Sequence, residues 1–224
     1  MTDAHCHVIR GESRCFIASP THDEPRGCDA VFYGRHPWEF LDGGVFSGED
    51  AEKLEKLLED NPSAGVGEIG LDRLKTKTVP DAMREAFRTQ LALAARHSRN
   101  AVVHGAKCWG ETVKECIPFA GAIPAFLFHG FSRSGGLVPD IVAINGYISV
   151  GPAILNDHAT NYRELVKRLP VERILVESDA TAENADDTPS VEDTAVRLAS
   201  LLGMPPDVLE RRLEANADAF LGAR

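Results

Sequence analysis

Two stretches of the sequence share one layout, Val102-Val103-His104-Gly105 and Phe126-Leu127-Phe128-His129-Gly130. In each, a short β-branched or aromatic run ends in a histidine and then a glycine. Such runs favour buried strands, so the layout predicts two strands that each end in an imidazole. For either histidine alone, a satisfied residue of the core is the simpler interpretation.

Other short apolar segments extend this pattern along the whole chain, and amphipathic helices fit between most of them. That alternation is typical of a parallel α/β fold. With eight candidate strands it predicts a TIM-type (β/α) barrel that occupies residues 1–224 as a single domain. The candidate strands are Thr2–Ile9, Arg14–Ser19, Ala30–His36, Ala64–Asp72, Ala101–Gly105, Ala125–Phe131, Tyr147–Gly151 and Arg173–Asp179.

Helix starts are marked by capping patterns. Ser47 and Ser190 are each followed three residues later by an aspartate that can complete a capping box. Asp81 opens a helix between them, and Gly203 followed by Met-Pro-Pro ends the helix that starts after Ser190.

The chain is short for such a barrel, since about 250 residues is usual. The shortfall lies near the N-terminus, because a parallel crossover needs roughly a dozen residues and only Gly11 to Ser13 separate the first two strands. The segment Pro20–Asp29 is too polar and too rich in proline and glycine for a helix. We therefore expect shortened or distorted N-terminal barrel units.

Composition excludes some classes of protein and leaves others open. No stretch reaches the roughly 20 apolar residues of a membrane helix, and the start of the chain lacks the pattern of a signal peptide. Five cysteines without a CxxC pair favour reduced thiols and a cytoplasmic protein. The net charge of −10 argues against broad electrostatic capture of nucleic acid, although bound cations can supply local positive charge. Nothing indicates an obligate protein partner.

The N-terminus reads Asp3-Ala4-His5-Cys6-His7. Side chains two apart on a strand point to the same face, so both imidazoles would line one side, and neutral imidazole is a common ligand of transition-metal ions. A surface His-x-His without a ligand is the simpler alternative for this motif alone.

Acidic residues end two more strands. Glu68 lies between Gly67 and Gly70 in the fourth strand, with a solvated loop carboxylate as its alternative interpretation. The apolar run Ile174–Val176 leads to Glu177 and Asp179, which would share a face; a helix cap is the alternative here. Two buried acids on one face need partners or a metal.

Taken together these residues favour one site. In parallel barrels the active site lies at the carboxyl ends of the strands, and four histidines with two carboxylates are enough to hold two cations, one carboxylate bridging. The candidate ligands at predicted strand ends are His5, His7, Glu68, His104, His129 and Asp179.

The same motifs, in the same order, resemble those of TatD-like metal-dependent hydrolases. The resemblance rests on Asp-Ala-His-Cys-His, Gly34–Pro37 (Gly-Arg-His-Pro), Gly-Glu-Ile-Gly-Leu-Asp, Val-Val-His, Phe-His-Gly-Phe-Ser, Val-Glu-Ser-Asp and a C-terminal segment from Glu214 to Phe220. It runs from Asp3 to Phe220, over nearly the whole chain.

The resemblance implies a centre of two divalent ions, magnesium, manganese or zinc. His5, His7 and Asp179 would hold one ion, His104 and His129 the other, and Glu68 would bridge. It also implies a DNase, often a 3′→5′ exonuclease on single strands, with DNA as its substrate. Asp179 would be the general base that takes a proton from the attacking water.

Departures from the family pattern affect substrate contacts and leave the proposed ligands in place. The family's His-Ser-Arg reads His104-Gly-Ala-Lys107, and its His-Cys-Phe-Ser-Gly reads His129-Gly-Phe-Ser-Arg133. His36, Lys107 and Arg133 are candidate contacts for a substrate phosphate. A solvated charge at the last two, and a turn residue at His36, are the alternatives.

Two other functions stay open at this point. A centre of two metal ions can also hydrolyse a small ester, amide or phosphoester, because the surrounding loops choose the substrate. A non-catalytic barrel that binds metal is the other. A dinucleotide-binding fold and a serine hydrolase are disfavoured, since neither GxGxxG after the first strand nor GxSxG is present.

Overall fold

The computed structural model describes residues 1–10, 14–20, 27–132 and 135–222. Eight strands form its centre, and each of the eight predicted strands has a counterpart. Their bounds are β1 Asp3–Cys6, β2 Cys15–Pro20, β3 Ala30–Gly34, β4 Gly65–Asp72, β5 Ala101–Ala106, β6 Phe126–Phe128, β7 Gly146–Val150 and β8 Ile174–Val176.

Helices follow most of the later strands. They are α1 Gly48–Asp60, α2 Asp81–Arg96, α3 Trp109–Cys116, α4 Val138–Ala143, α5 Thr160–Val166, α6 Val191–Leu202 and α7 Pro206–Gly222. Ser47 and Ser190 cap α1 and α6 through the predicted capping boxes, and Gly203 ends α6 in the left-handed conformation. The start of α2 at Asp81 agrees with the prediction, although Pro80 stands at its N-cap and makes no side-chain hydrogen bond there.

Every strand pairs in parallel with the next one along the chain, from β1 to β8. The first and last strands then meet just beyond their ends, where the Asp179 N–H donates to the His5 carbonyl at 3.0 Å and the His7 N–H donates to the Ala180 carbonyl at 2.8 Å. The result is a nearly closed barrel with helices between its strands, which confirms the predicted TIM-type fold.

The N-terminal units are shortened, as the spacing predicted. The described residues between β1 and β3 form no helix, and the first helix of the barrel, α1, comes only after β3. Residues 11–13 and 21–26, where part of this expectation falls, lie outside the described ranges. The register of β1 against β2 shifts between Asp3 and Cys6, which is a local irregularity of the pairing.

Several strands are shorter than predicted at their carboxyl ends. The strand β8 stops at Val176, so Glu177 and Asp179 lie in the loop that follows it. Asp179 also has a left-handed backbone with φ of +52°. The regular alternation of a strand therefore does not apply there, and the expectation that the two acids share a strand face is wrong.

Helix α7 covers the amino-terminal opening of the barrel with one aromatic side chain. The Phe220 ring lies 6.0 Å from the Phe32 ring, 6.1 Å from that of Phe16 and 5.6 Å from that of Tyr147, measured between centroids. On the same helix, Asn216 Nδ2 donates to the carbonyls of Val171 and Ile174, both at 2.8 Å. The buried cluster within the barrel comprises Ala4, Phe16, Ala30, Phe32, Val102, Ala125, Leu127, Tyr147, Leu175, Ala217 and Phe220.

A larger apolar layer lies between the outside of the sheet and the helices, and includes Leu54, Met83, Phe87 and Leu198. None of the helices within the described ranges has the length and apolar content needed to cross a membrane.

Because Phe220 closes the inner cluster, we expect Phe220→Ala to lower the free energy of unfolding by about 3–5 kcal/mol, through lost burial and the cavity left behind. The measurement is urea denaturation followed by circular dichroism. Val208→Ala is the matched control on the same helix, at a residue that is 40% exposed, and it should change stability by less than about 0.5 kcal/mol. Equal losses of unfolding free energy in the two variants would contradict the proposed closure of the inner cluster by Phe220.

Candidate metal centre

The six predicted ligands lie together at the carboxyl-terminal rim of the barrel. Three belong to strands, His5 to β1, Glu68 to β4 and His104 to β5. The other three directly follow strands that are shorter than predicted. His7 follows β1 by one residue, His129 comes directly after β6, and Asp179 lies three residues after β8. Parallel pairing of consecutive strands places all these ends at one edge.

Glu68 occupies the centre of the group and is only 5% exposed. Its Oε1 lies 2.6 Å from His104 Nδ1 and 2.6 Å from His129 Nε2. Its Oε2 lies 3.3 Å from His7 Nε2 and 3.5 Å from His5 Nε2. The two oxygens of one carboxylate therefore face two separate pairs of imidazoles.

Asp179 completes the side of the group that contains the first strand. Its Oδ1 lies 3.5 Å from both His5 Nε2 and His7 Nε2, and its side chain is 51% exposed. The residue before it is tied to β1, because Ser178 donates through its backbone N–H to Asp3 Oδ1 at 2.9 Å and through its hydroxyl to Asp3 Oδ2 at 2.5 Å. This clasp fixes the loop from which Asp179 reaches the imidazoles.

The pKa values of these groups reflect their proximity. Burial alone would raise the pKa of Glu68, but His129 and His104 hold it well below its ordinary value. Burial likewise opposes protonation of His104, yet Glu68 and Asp72 raise its pKa to about 9. Burial and the neighbouring His5 and His104 lower the pKa of His129 to about 4, against the pull of Glu68. The opposite charges of Glu68 and His104 therefore stabilise each other.

Asp179 and His7 show the same balance. Burial opposes ionisation of Asp179, but the neighbouring imidazoles of His5 and His7 hold its pKa well below the ordinary value. Burial lowers the pKa of His7, whereas Asp179 and Glu68 raise it to about 8. The exposed carboxylate at the rim is therefore ionised at neutral pH.

The donor set fits a divalent transition-metal ion. Three overlapping groups have one ligand atom per residue within 4.8 Å of one another, namely His5 with His129 and Asp179, His5 with His7 and Glu68, and His36 with Glu68 and His104. His5 Nε2 is buried and lacks a hydrogen-bond partner within the described part of the chain. A buried polar atom without a partner, surrounded by carboxylates, is what a bound cation would satisfy.

His36, which was predicted to contact a substrate phosphate, lies directly beside the candidate ligands. Its Nε2 is 3.5 Å from Glu68 Oε1, and its ring centroid is 4.8 Å from that of His104. Its Nδ1 accepts from the Trp38 N–H at 3.2 Å and so caps the short 3₁₀ helix Pro37–Phe40. His36 therefore both caps this turn and lies at the site.

The structure also shows contacts at the site that sequence reasoning missed. Asp72 Oδ2 lies 3.0 Å from His104 Nε2 and accepts from Trp38 Nε1 at 2.7 Å. A carboxylate on the far nitrogen of a ligand imidazole fixes the orientation of its ring. The available signal was the spacing of Asp72 four residues after Glu68, at the end of the same strand.

Glu177 lies behind the site and is 2% exposed. It accepts from the Gly130 N–H at 2.8 Å, lies 2.5 Å from Ser149 Oγ, and faces His129 Nδ1 at 3.8 Å. Burial raises its pKa to about 8, despite the opposing effect of His5. It is therefore an inner carboxyl that supports the loop after β6 and does not share the exposure of Asp179.

A cleft of about 810 Å³ opens beside the imidazoles. Lys107, one of the predicted phosphate contacts, is exposed and lines it. Arg133, another of these predictions, lies outside the described residues. The lining also includes Arg73, Leu74, His104, Trp109, His129 and Asp179.

Comparison with known proteins adds independent findings. A 3′-5′ ssDNA/RNA exonuclease TatD of Klebsiella pneumoniae is 25% identical over 201 residues, which cover 84% of this chain and 75% of that protein. An uncharacterised metal-dependent hydrolase of Bacillus subtilis, YabD, is 27% identical over 146 residues. That match covers 65% of this chain and 56% of YabD, little more than half of its length.

Solved structures show the same fold. The TatD homologue YJJV of Escherichia coli superposes with a TM-score of 0.75 at 20% identity, over 94% of this chain and 87% of that one. A TatD family hydrolase of Entamoeba histolytica gives 0.67 at 15% identity, over 93% and 84%. The family model for TatD related DNase matches residues 28–222, most of the chain, and the protein therefore belongs to the TatD-related DNase family.

Proposed function

We propose that this protein is a hydrolase that uses two divalent metal ions to cleave phosphodiester bonds in single-stranded DNA. The observation that carries the proposal is the position of Glu68, whose two carboxylate oxygens face two different sets of imidazole nitrogens. One buried carboxylate between two sets of ligands is the arrangement that a bridging ligand requires.

In this proposal His5, His7 and Asp179 would hold one ion, and His104 and His129 would hold the other. His36 lies close enough to Glu68 and His104 to be a further ligand on that side. When bound, divalent ions such as magnesium, manganese or zinc polarise a phosphoryl oxygen and make water a better nucleophile at neutral pH.

The chain's own residues supply the rest of the chemistry. Asp179 is the half-exposed member of the group, lines the cleft, and remains ionised beside His5 and His7. It is therefore positioned to accept a proton from water at the rim. Lys107 on the cleft wall is a candidate contact for a substrate phosphate, and Arg133 retains that role on sequence grounds alone.

Charge supports a phosphate substrate despite the acidic chain. Two divalent ions would bring four positive charges to a site with two ligand carboxylates, so the site itself would attract an anion. The relatives named as 3′-5′ ssDNA/RNA exonucleases support single-stranded nucleic acid as the substrate and the 3′ end as the starting point.

A hydrolase of small esters, amides or phosphoesters is the second candidate. The net charge of −10 favours it, because long nucleic acids are usually bound through many basic side chains. Its cleft would then hold the whole substrate, whereas a nuclease needs contacts beyond it.

The bridging role of Glu68 has a direct test in metal binding. We expect wild type to bind two equivalents of Mn²⁺ or Zn²⁺ per chain, and Glu68→Gln to bind one or none, because an amide is a poor ligand and a poor bridge. Equilibrium dialysis with elemental analysis measures the stoichiometry, and circular dichroism checks the fold.

Glu55→Gln is the matched control for this experiment. Glu55 also pairs with an imidazole, since its Oε1 lies 3.0 Å from His97 Nε2, but the pair lies on α1 and the end of α2, away from the rim. The control should keep both equivalents. Two equivalents in Glu68→Gln as well would remove the bridging proposal.

Activity provides a separate test. We expect His129→Ala and Asp179→Asn to lower kcat/KM on single-stranded DNA at least 100-fold, since each removes a ligand and the second also removes the proton acceptor. Degradation of end-labelled oligonucleotides with Mn²⁺ gives both the rate and the direction of cleavage.

His158→Ala, at an exposed histidine outside the site, should retain wild-type rates. A panel of RNA, simple phosphoesters, aminoacyl esters and amides run beside the DNA separates the two candidates. Rapid turnover of a small substrate without cleavage of DNA would support the second candidate and contradict the first.

A further inference from the structure

Trp38 is a large aromatic side chain at the rim that remains 46% exposed. It lies in the short helix Pro37–Phe40, immediately after His36, and the cap formed by His36 fixes its backbone. Its indole Nε1 donates to Asp72 Oδ2 at 2.7 Å. The polar edge of the ring is thus anchored next to the proposed centre while much of the ring stays open to solvent.

The ring lies close to the proposed ligands. Its centroid is 5.0 Å from that of His36, in an edge-to-face arrangement, and the His36 ring in turn contacts that of His104. Asp72 gives a second connection, because the same oxygen that binds the indole also contacts His104 Nε2 at 3.0 Å. Anything that stacks on Trp38 is therefore adjacent to a group bound at the centre.

A lysine side chain lies over the indole ring of Trp38. Lys75 Nζ lies 4.0 Å from the Trp38 ring centroid, and Lys75 is exposed. The preceding Leu74 is 51% exposed and lines the cleft. A half-exposed indole with an ammonium over its ring suits a ligand that carries both a flat ring and a negative charge.

A nucleotide is such a ligand, since its base has a π-face and its phosphate is an anion. We propose that Trp38 and Lys75 form a nucleotide subsite, in which the indole stacks one base of the bound strand and the ammonium pairs with an adjacent phosphate. This inference rests on the proposed function, and identifies the side chains that select single strands, whose bases are free to stack.

The relative strengths of the two contacts favour replacement of the Lys75 ammonium by a base on the Trp38 ring. An exposed cation–π contact strengthens an association roughly 2- to 5-fold, whereas a stacked base strengthens it roughly 5- to 150-fold. Lys75 can therefore leave the ring for a phosphate when a base arrives. The same hydrogen bond to Asp72 would hold the indole in place in both states.

Fluorescence tests the stacking without any turnover. The chain has two tryptophans, and the other one, Trp109, is only 5% exposed. We expect a single-stranded oligonucleotide with hydrolysis-resistant phosphorothioate linkages to quench the emission of the metal-loaded wild type. Trp38→Phe should show no quenching while still binding the oligonucleotide in anisotropy measurements. Quenching that persists in Trp38→Phe, or binding to wild type without quenching, would overturn the subsite.

Kinetics test the same contact by comparing a normal oligonucleotide with one that is abasic at its 3′-terminal nucleotides. In wild type the abasic substrate should have a KM roughly 5- to 150-fold higher, as expected for one lost base stack. Trp38→Ala should bring that ratio close to one. Trp38→Phe, which keeps a ring but loses the hydrogen bond to Asp72, should keep most of it.

The role of Lys75 is tested by the salt dependence of binding. Lys75→Ala should lower the slope of log affinity against log salt concentration by roughly 0.7, the value for one phosphate contact of a single strand. Lys77→Ala, at an exposed lysine two residues away, is the control and should leave the slope unchanged. An unchanged slope in Lys75→Ala would overturn the phosphate contact.

The outcomes for the subsite and for the proposed nuclease remain distinguishable. DNA cleavage by wild type with equal KM values for normal and abasic substrates would remove the subsite and keep the nuclease. Quenching that depends on Trp38, in a protein that cleaves no DNA, would keep the subsite and remove the nuclease.

Discussion

The rim of this barrel depends on one buried carboxylate. Glu68 is 5% exposed, and a carboxylate in such a place is costly unless charged or hydrogen-bonding partners surround it. Its partners come from parts of the chain that precede β4 and from parts that follow it. His104 of β5 and His129, directly after β6, approach one oxygen. His5 of β1 and His7, just after β1, approach the other.

The contacts that close the barrel therefore also assemble this site. The first and last strands meet through the hydrogen bond from Asp179 N–H to the His5 carbonyl, and through the clasp between Ser178 and Asp3. Without that seam, neither His5 and His7 nor Asp179 would reach the Glu68 side of the rim. The shortening leaves this seam intact, because the seam involves Asp3 and His5 of β1 and not the segment between β1 and β3, whose described residues form no helix.

Much of this arrangement could be predicted from local sequence. Each strand appears as a short apolar run, and His104 and His129 stand where such runs end, so a parallel fold places them at one edge. Strand ends were less predictable, since the backbone leaves the sheet at Val176 and turns left-handed at Asp179. That turn follows from contacts with β1, which lie far away in sequence.

The partners of individual atoms were not predictable from local patterns at all. His104 meets Glu68 through one nitrogen and Asp72 through the other, and that choice depends on ring orientation within the assembled rim. No local pattern in the sequence distinguishes Trp38 either. Its importance comes from a hydrogen bond to a side chain 34 residues away, which only the packed structure specifies.

The acidic character of the chain is compatible with the proposed phosphate substrate for a physical reason. At physiological ionic strength, charges are largely screened beyond about 8 Å, so a net charge of −10 spread over the surface acts weakly at the rim. The groups within that distance decide what binds. An aromatic ring needs no long-range field, because it attracts a base by contact. With the proposed ions bound, the rim and the exposed ring of Trp38 would therefore hold a short piece of single strand without a broad basic surface.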